Sequence, residues 1–294
     1  MGVDKYGIII ASHEPKIDIL MNLLIKLSKK GIANIFLIDS SRSKTSKNIQ
    51  SSVEQLNKAT ENKIIFYKKI QNQGVGDKYN LGFQLCLESQ CNIITILTDD
   101  AIINDETFIP NKIADFFTRN LDPRKDILAL NSWASRDYGR RVEIKVGPDF
   151  GMTLSNSLIK NINFKEDLIL DYTDIDFCSR IKRNGGKIKL YPEETVTSIP
   201  SGSKTNENSP HLPSWRIYLV IRNYLTLSYE YRDLVFFIYN TYRATKYIII
   251  SFIRREKFLS ITKAAIFGLL DAKSRKLGVT NNLQKLTNNF TIEE

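Results

Sequence analysis

The chain has 294 residues, of which 42% are hydrophobic and 25% are charged. This is enough apolar material for one large or two small domains, and it excludes a disordered, collagen-like or coiled-coil protein. Two histidines and three cysteines exclude a zinc finger and a disulfide framework. We therefore expect a reducing compartment and a cytoplasmic protein.

The formal net charge is +10, and most of it lies near the C-terminal end. Residues 1–210 carry 29 Lys and Arg against 26 Asp and Glu, a net of +3, whereas residues 211–294 carry 13 against 6, a net of +7. The sequence has no helix-turn-helix, RRM or zinc-finger pattern, so we expect no nucleic-acid partner. The change in composition near residue 210 indicates a separate role for the tail.

The first hundred residues alternate between apolar strands and amphipathic helices. Strands are predicted at 7–11, 35–38, 63–68 and 93–97, and helices at 17–30, 46–60 and 77–89. This order predicts a parallel sheet with helices on both faces. Ligands bind beyond the carboxyl ends of such strands, where the polar clusters 12–14, 39–41 and 98–100 are predicted to converge.

The second half alternates in the same way. Strands are predicted at 127–131 and 187–191, a strand running into a short helix within 147–162, and a helix at 171–183. Residues 200–214 are rich in Ser, Asn, Gly and Pro and predict a loop before a helical tail.

Two groups of carboxylates could carry chemistry. Asp99 and Asp100 end an apolar strand, where adjacent carboxylates can hold Mg²⁺ or Mn²⁺ against phosphate oxygens or simply begin a turn. The second group lies at a predicted helix start and consists of Asp171, Asp174 and Asp176. The helix dipole stabilises acidic side chains at such a position. A carboxylate there, beside a crevice, could instead act as a general base.

The segment 71–82 (QNQGVGDKYNLG) is rich in glycine. It is not a dinucleotide fingerprint, because Tyr79 stands three residues after Gly76 and the segment follows the third strand rather than the first. It also lacks the Gly-Lys-Ser/Thr of a P-loop. NAD enzymes and P-loop NTPases are therefore disfavoured.

Seven segments, taken in order, resemble family 2 glycosyltransferases of the GT-A fold, within the rhamnosyltransferase and galactofuranosyltransferase branch. They are IIIASHEP, LIDSS, NQGVGDKYNLG, ILTDDA, FGMTLS, DYTDIDFCSRIKRNGGKIKLYP and YLVIRN, and they run from about Gly7 to Arg222. The resemblance implies an α/β GT-A domain, Rossmann-like with a mostly parallel sheet, at residues 1–227. Its nucleotide-binding half would be about 1–110 and its acceptor-binding half about 111–227, followed by a helical basic extension at 228–294.

The resemblance also implies an activity and its residues. The activity is inverting transfer of a hexose, in polysaccharide biosynthesis, from a nucleoside-diphosphate sugar to a hydroxyl of a glycan or lipid-linked acceptor, with Mg²⁺ or Mn²⁺. Asp174 would be the catalytic base and Asp100 the metal ligand. The implied nucleotide-sugar contacts are Ala11, Ser12, His13, Glu14, Asp39, Gly74, Asn80, Thr98, Asp99 and Arg222, and the implied acceptor contacts are Met152, Trp215 and Tyr218.

Two positions depart from the family pattern. Thr98 stands where the acidic motif usually opens with Asp, and Ser198 stands where relatives carry a metal-binding His, a role that His211 could take from the loop. A non-catalytic glycosyltransferase-like binding subunit therefore stays open as an alternative. So does a sugar-phosphate nucleotidylyltransferase, although residues 12–15 lack the glycine-rich basic loop of that class.

Residues 234–253 predict an amphipathic helix. The segment is strongly apolar, but Arg243 and Lys246 disfavour a membrane span, and further basic residues follow at 254–257. The pattern predicts a helix on an anionic membrane surface, or else a helix that packs on the core with its basic groups solvated. We expect the former, at the inner face of the cell membrane.

Overall fold

The structure is a computed structural model that describes residues 6–32, 34–60, 64–69, 71, 73–130, 151–193, 195–198, 213–232, 234–253 and 258–287. The chain divides into two compact units. The first unit contains residues 1–70, 77–164 and 177–201, and the second unit contains residues 71–76, 165–176 and 202–294.

Nine strands occur in the described part of the first unit. They are β1 (Tyr6–Ser12), β2 (Asn34–Asp39), β3 (Ile64–Lys68), β4 (Ile93–Thr98), β5 (Ala101–Ile103), β6 (Ile127–Ala129), β7 (Met152–Ser155), β8 (Ile188–Leu190) and β9 (Val196–Ser198). Seven form one sheet in the order β3-β2-β1-β4-β7-β6-β8, and β5 and β9 form a separate antiparallel pair. Within the large sheet only the two pairs made by β7 are antiparallel.

Helices cover both faces of the large sheet. They are α1 (Ile17–Ser28), α2 (Ser43–Ala59), α3 (Val75–Glu88), α4 (Pro110–Asn120), α5 (Asn156–Ile159) and α6 (Thr173–Arg183). The buried side chains of α1, α2 and α4 form one hydrophobic cluster with Ile8 and Ile10 of β1. On the opposite face α3 approaches Ile9 so closely that a Cβ on Gly82 would lie 2.4 Å from its side chain. The α6 residue Phe177 stacks on Phe164 of this layer.

The second unit is mainly helical. Its helices are α7 (Ser214–Tyr231), α8 (Leu234–Ile253), α9 (Phe258–Lys273) and α10 (Asn281–Gln284). The α9 helix packs on α7 through small residues. Ala264 is fully buried, and a Cβ on Gly268 would lie 2.9 Å from the Tyr218 carbonyl oxygen. In the described part of the chain, no helix combines the length and the apolar character needed to cross a membrane.

The architecture confirms the predicted α/β class with a mostly parallel, helix-flanked sheet. The α7 helix packs on α9 and lies with it in the second unit, while the domain boundary at residue 227 stays a prediction. The α4 helix and the β5–β9 pair were not predicted. Most of the predicted loop at 200–214 lies outside the described residues.

Candidate active site

Polar side chains gather where three adjacent parallel strands end. β1 ends at Ser12, β2 at Asp39 and β4 at Thr98. Ser12 pairs with Asp39, and Ala11 pairs with both Ile38 and Thr98. The predicted convergence of the three polar clusters at one edge of the sheet is therefore observed.

Hydrogen bonds join the ends of these strands through His13. Its backbone N–H donates to Asp99 Oδ2 at 3.0 Å, and its ring Nδ1 lies 3.1 Å from the Ser40 carbonyl oxygen. Burial lowers the pKa of the His13 ring, and the positive charge of Lys78 lowers it further. The ring is therefore neutral at pH 7.

A buried lysine that the sequence did not reveal lies among these groups. Lys78 is only 4% exposed, and its Nζ donates to Ser40 Oγ at 2.7 Å and to the Ser12 carbonyl oxygen at 3.3 Å. Burial lowers its pKa to about 8, and the charges of Asp99 and Asp39 oppose this shift. The spacing of the sequence could have indicated this burial. Lys78 and Gly82 are four residues apart and share one face of α3, and Gly82 packs closely on Ile9 of the sheet.

Asp39 presents a buried acceptor oxygen. Its Oδ1 accepts hydrogen bonds from the Ser41 backbone N–H at 3.1 Å and the Ser41 hydroxyl at 2.5 Å. Among the described residues, Oδ2 has no hydrogen-bond partner, although Lys68 Nζ lies 3.7 Å away. Leaving such an oxygen without a hydrogen bond is unfavourable, so it is suited to accept an N–H or O–H of a ligand.

The adjacent carboxylates differ in their surroundings. Burial raises the pKa of Asp99 to about 6; the charge of Asp100 adds to this shift, whereas the His13 N–H and Lys78 oppose it. Asp100 Oδ1 accepts a hydrogen bond from Thr98 Oγ1 at 2.6 Å. Thr98, at the position where the family motif has an acid, therefore orients Asp100.

Glu14 has a φ of 49°, which is uncommon for a residue other than glycine. Its carboxylate accepts hydrogen bonds from the Arg42 N–H at 2.6 Å and from Thr45 Oγ1 at 2.9 Å. Its own N–H donates to Ser41 Oγ at 2.7 Å. These contacts join the loop after β1 to the start of α2, which favours a structural role for this carboxylate over the predicted nucleotide contact.

The carboxylates at the end of β4 fit a divalent cation that shares its coordination with a ligand. Among the described residues, no cluster of three or more His, Cys, Asp or Glu side chains could enclose a metal ion. Mg²⁺ is commonly held by one or two carboxylates together with substrate phosphates, and Asp99 and Asp100 supply such a set. Ser198 pairs with Ala101 across β5 and β9, while His211 lies outside the described residues.

The predicted base lies in the second unit. Asp174 is half-buried in the first turn of α6, and its Oδ1 accepts a hydrogen bond from the Ile175 N–H at 2.8 Å. Asp176 is fully buried, accepts a hydrogen bond from the Tyr231 hydroxyl and lies 3.3 Å from Lys165 Nζ. Asp174 is therefore the more accessible of these two carboxylates.

Arg222 of α7 is enclosed by backbone carbonyl groups of the second unit. It is fully buried, and its guanidinium donates to the carbonyl oxygens of Gly278 at 2.6 Å, Asp167 at 3.2 Å and Leu168 at 3.3 Å. Burial lowers its pKa. With these donors engaged by the backbone, the geometry gives Arg222 a structural role, and its implied nucleotide-sugar contact stays a prediction.

Other predicted ligand contacts also have structural surroundings. The Asn80 side chain pairs with the backbone of Phe164 in both directions, at 3.0 and 2.8 Å. Met152 is fully buried in the central sheet, and Tyr218 is fully buried and donates to Asp271 Oδ2 at 2.7 Å. Trp215 is partly buried against the core of the second unit. These positions do not favour acceptor contacts for Met152 and Tyr218.

Gly74 allows a close approach between two backbone segments. Its φ is 117°, and a Cβ at this position would lie 2.3 Å from the Ile169 carbonyl oxygen. The neighbouring Val75 N–H donates to the same oxygen at 2.7 Å. The close approach to the segment around Ile169 therefore requires glycine at this position, and the implied nucleotide-sugar contact of Gly74 stays a prediction.

The fold is that of GT-A glycosyltransferases. The chain is similar to the structure of GalNAc-T7 with UDP, GalNAc and Mn²⁺, at a TM-score of 0.56 and 12% identity, over 76% of this chain and 47% of that protein. It thus spans about half the length of GalNAc-T7. It is also similar to the mannosyltransferase PcManGT from Pyrobaculum calidifontis in complex with GDP-Man and Mn²⁺, at a TM-score of 0.62 and 11% identity, over 92% of this chain and 88% of that one. No family model and no curated protein sequence matches the chain.

Proposed function

We propose that the chain is an inverting family 2 glycosyltransferase that uses a nucleoside-diphosphate sugar as its donor. The observation that carries the proposal is the meeting of Asp39, Lys78 and the Asp99–Asp100 pair at the carboxyl edge of a parallel sheet. Ligands bind at this edge in open α/β sheets. Two proteins of the same fold carry UDP or GDP-Man together with Mn²⁺.

Each group has a task that its chemistry suits. Asp39 Oδ2 accepts a hydrogen bond from an N–H or O–H of the nucleotide base or ribose, because this oxygen is buried and has no hydrogen-bond partner among the described residues. Lys78 supplies a positive charge in the same cluster; with a pKa of about 8 it stays mostly protonated at pH 7. Beside them lie the strand ends with Ala11, Ser12 and Thr98. His13 follows Ser12, and its backbone N–H donates to Asp99.

The proposed reaction is a single displacement. Asp174 takes the proton of an acceptor hydroxyl, and that oxygen forms a bond to the anomeric carbon. The bond from this carbon to the diphosphate oxygen breaks on the opposite side, so the configuration inverts and nucleoside diphosphate leaves. Mg²⁺ or Mn²⁺, held by Asp99 and Asp100 together with the diphosphate, would neutralise charge on the leaving group.

The donor and acceptor classes follow from the motif resemblance. We propose a hexose of the rhamnose or galactofuranose type, and a glycan or lipid-linked acceptor in polysaccharide biosynthesis. The half of the catalytic region that follows residue 110 would bind this acceptor.

The tail gives the proposal a location. The α8 helix exposes large apolar side chains at intervals of three or four residues or their multiples, and these are Leu234, Ile238, Tyr242 and Ile249. The α9 helix exposes Leu259, Ile266 and Leu270 in one line with Lys263 and Lys273. Apolar side chains interspersed with lysines suit an anionic bilayer, so we propose that the protein is peripheral on the cytoplasmic face of the cell membrane.

The experiment measures nucleoside diphosphate released from a panel of sugar nucleotides, with Mn²⁺, Mg²⁺ or EDTA. We expect metal-dependent turnover of at least one donor, and a loss of about 100-fold or more in Asp100→Asn and in Asp174→Asn. The control is Asp115→Asn, which changes an exposed carboxylate on α4 and should retain full activity.

Three outcomes contradict the proposal in different ways. Unchanged turnover in both Asp100→Asn and Asp174→Asn would refute the mechanism. Nucleotide binding without turnover would identify a binding subunit. Formation of a sugar nucleotide from a nucleoside triphosphate and a sugar 1-phosphate would identify a nucleotidylyltransferase.

A further inference from the structure

The backbone that leads into the helix of Asp174 has an unusual conformation. Ile169, Asp171 and Tyr172 have φ values of 67°, 50° and 72°. At Ile169 ψ is −66°, and the Leu170 N–H donates to the Leu168 carbonyl oxygen at 2.8 Å. This is the geometry of the rare, strained form of the γ-turn. We refer to residues 167–172 as the γ-turn segment.

A strained backbone persists only where its surroundings hold it. For a β-branched residue such as Ile169, a positive φ is a true outlier. Such outliers concentrate at functional sites, where strain is retained because it positions a reacting group. The γ-turn segment ends two residues before Asp174, and Asp174 lies in the first turn of α6.

Asn223 of α7 holds this segment. Its side-chain Nδ2 donates to the carbonyl oxygens of Leu168 at 2.8 Å, Leu170 at 2.8 Å and Asp171 at 2.9 Å. The side chain is fully buried. The two N–H groups of one amide are therefore shared among three carbonyl oxygens in and just after the γ-turn.

Arg222 fixes the orientation of that amide. Its Nε donates to Asn223 Oδ1 at 2.9 Å, so the Asn223 nitrogen must face the γ-turn segment. The Arg222 Nη2 also donates to the carbonyl oxygens of Asp167 and Leu168. The two neighbouring side chains of α7 thus act on the same stretch of backbone.

Two further contacts complete the arrangement. The Arg216 guanidinium binds the Asp171 carboxylate through two nitrogens, at 2.9 to 3.1 Å. On another side, the Val75 N–H donates to the Ile169 carbonyl oxygen. The segment is held by side chains of α7 and by the backbone that follows Gly74.

We propose that Asn223, oriented by Arg222, is a positioning residue for glycosyl transfer. By fixing the carbonyl of Asp171 it sets where α6 begins, and hence the direction of the Asp174 carboxylate three residues later. The inference rests on the proposed function, in which Asp174 is the base. A base must come within hydrogen-bond distance of the proton that it takes, and a misplacement of about 1 Å can lower the rate about 100-fold.

The test is Asn223→Asp in the full chain. The aspartate has the same shape and can still accept from Arg222 Nε, but it places an oxygen instead of an N–H donor against three carbonyl oxygens. We expect kcat to fall about 100-fold with the donor KM within about twofold, and hydrogen exchange to accelerate at the amides of residues 169–176. Asn223→Gln keeps the donors on a longer side chain and should recover part of kcat.

The matched control is Ser228→Ala, which alters another buried polar residue of α7. Ser228 donates to the Tyr224 carbonyl oxygen within the helix, so kcat and exchange at 169–176 should keep their wild-type values. If Asn223→Asp does not fold, Arg216→Lys replaces it, because this variant loosens Asp171 through a partly exposed pair. The same change in kcat and exchange is then expected, at smaller size.

The outcomes separate this inference from the function on which it rests. An active wild-type chain whose Asn223→Asp variant melts at a lower temperature, with unchanged kcat or unchanged exchange at 169–176, overturns the positioning role alone. A wild-type chain that turns over no sugar nucleotide overturns the proposed function, and the positioning role with it.

Discussion

Asp99 and Lys78 show how the surroundings of single residues shape the candidate site. Burial raises the pKa of Asp99 to about 6 and lowers the pKa of Lys78 to about 8. Each shift disfavours the charged form, although the two residues have opposite charges and attract each other. A bound cation would compensate the charge of Asp99, and a bound diphosphate would compensate that of Lys78. The site is therefore suited to a charged ligand.

The pKa of Asp99 predicts a pH dependence of stability. An unfolded aspartate titrates near pH 3.9, so the folded chain, with a pKa of about 6, binds this proton more tightly. Protonation of Asp99 therefore stabilises the folded chain at low pH, and this contribution is lost as the pH rises from about 4 through about 6. In an Asp99→Asn variant the side chain does not titrate, and its oxygen can still accept a hydrogen bond from the His13 N–H.

We therefore expect the melting temperature of Asp99→Asn, relative to that of the wild type, to be higher at pH 7.5 than at pH 4.5. Differential scanning calorimetry at both values measures the change. Asp18→Asn, at an exposed position in the first turn of α1, is the control for an Asp-to-Asn change outside the site. A difference that does not vary with pH would contradict the raised pKa of Asp99.

At the level of the elements, the sequence predicts the strands of the large sheet, including its edge strands β3 and β8, but not the separate β5–β9 pair. The strands β1, β2 and β4 are continuous apolar runs, which is typical of strands buried on both faces. The β5 and β9 strands have three residues each, too few to show a period. The antiparallel direction of β7 cannot be read from four residues. The α4 helix did carry a signal, with Pro110 at its first turn and buried residues Ile113 and Phe117 four apart.

The same contrast holds for the candidate site. Ser12, Asp39 and Thr98 were predictable, since the ends of parallel strands meet at one edge. Arg222 and Asn223 were not, because an Arg-Asn pair near a family motif gives no indication of burial. Their partners are backbone carbonyl groups more than 50 residues away, and carbonyl groups are the same in every residue. Sequence patterns carry no information on such contacts.

The packing of α9 on α7 leads to a prediction at Gly268. A Cβ there would lie 2.9 Å from the Tyr218 carbonyl oxygen and 3.2 Å from the Ile221 side chain. Overpacking destabilises by about 1–3 kcal/mol, whereas Ala in place of Gly favours a helix by about 1 kcal/mol. We expect Gly268→Ala to lower the free energy of unfolding by about 1 kcal/mol, measured by urea denaturation.

Ser260→Ala on the exposed side of α9 is the control, with an expected change below about 0.5 kcal/mol. A Gly268→Ala chain that is more stable than the wild type would show that helix propensity outweighs the contact, and that α9 can move away from α7 without penalty.

At the scale of the whole molecule, the tail is part of a folded unit rather than an appendage. Ile217 and Ile221 of α7 are buried in one cluster with Ile261 of α9. A chain that ended at the predicted boundary, residue 227, would expose this cluster. Deletion of residues 228–294 would therefore alter the fold as well as any membrane surface, and only substitutions in the full chain can test membrane binding.

We expect the full chain to sediment with vesicles of phosphatidylcholine that contain phosphatidylglycerol, and much less with phosphatidylcholine alone. Each lysine near an anionic surface contributes about 1 kcal/mol, so the double variant Lys263→Glu and Lys273→Glu should bind at least about 30-fold more weakly. The double variant Ile266→Ser and Leu270→Ser should weaken binding to both kinds of vesicle.

The control for these variants is Lys112→Glu on α4, at an exposed position of the first unit. Equal sedimentation of all variants would refute the membrane proposal. Loss of a dimer on gel filtration in Ile266→Ser and Leu270→Ser, without a change in vesicle binding, would instead assign the exposed α9 side chains to contacts between copies.

The contacts of Asn223 also impose an order on biosynthesis. The γ-turn segment leaves the ribosome before its holder, since Asn223 follows Leu168 by 55 residues. At translation rates of about 5–20 residues per second, the delay is roughly 3–11 s. Throughout that interval the nascent chain lacks the amide that stabilises the strained backbone ahead of α6. The start of the helix that carries Asp174 is thus fixed late, after synthesis has passed the central sheet.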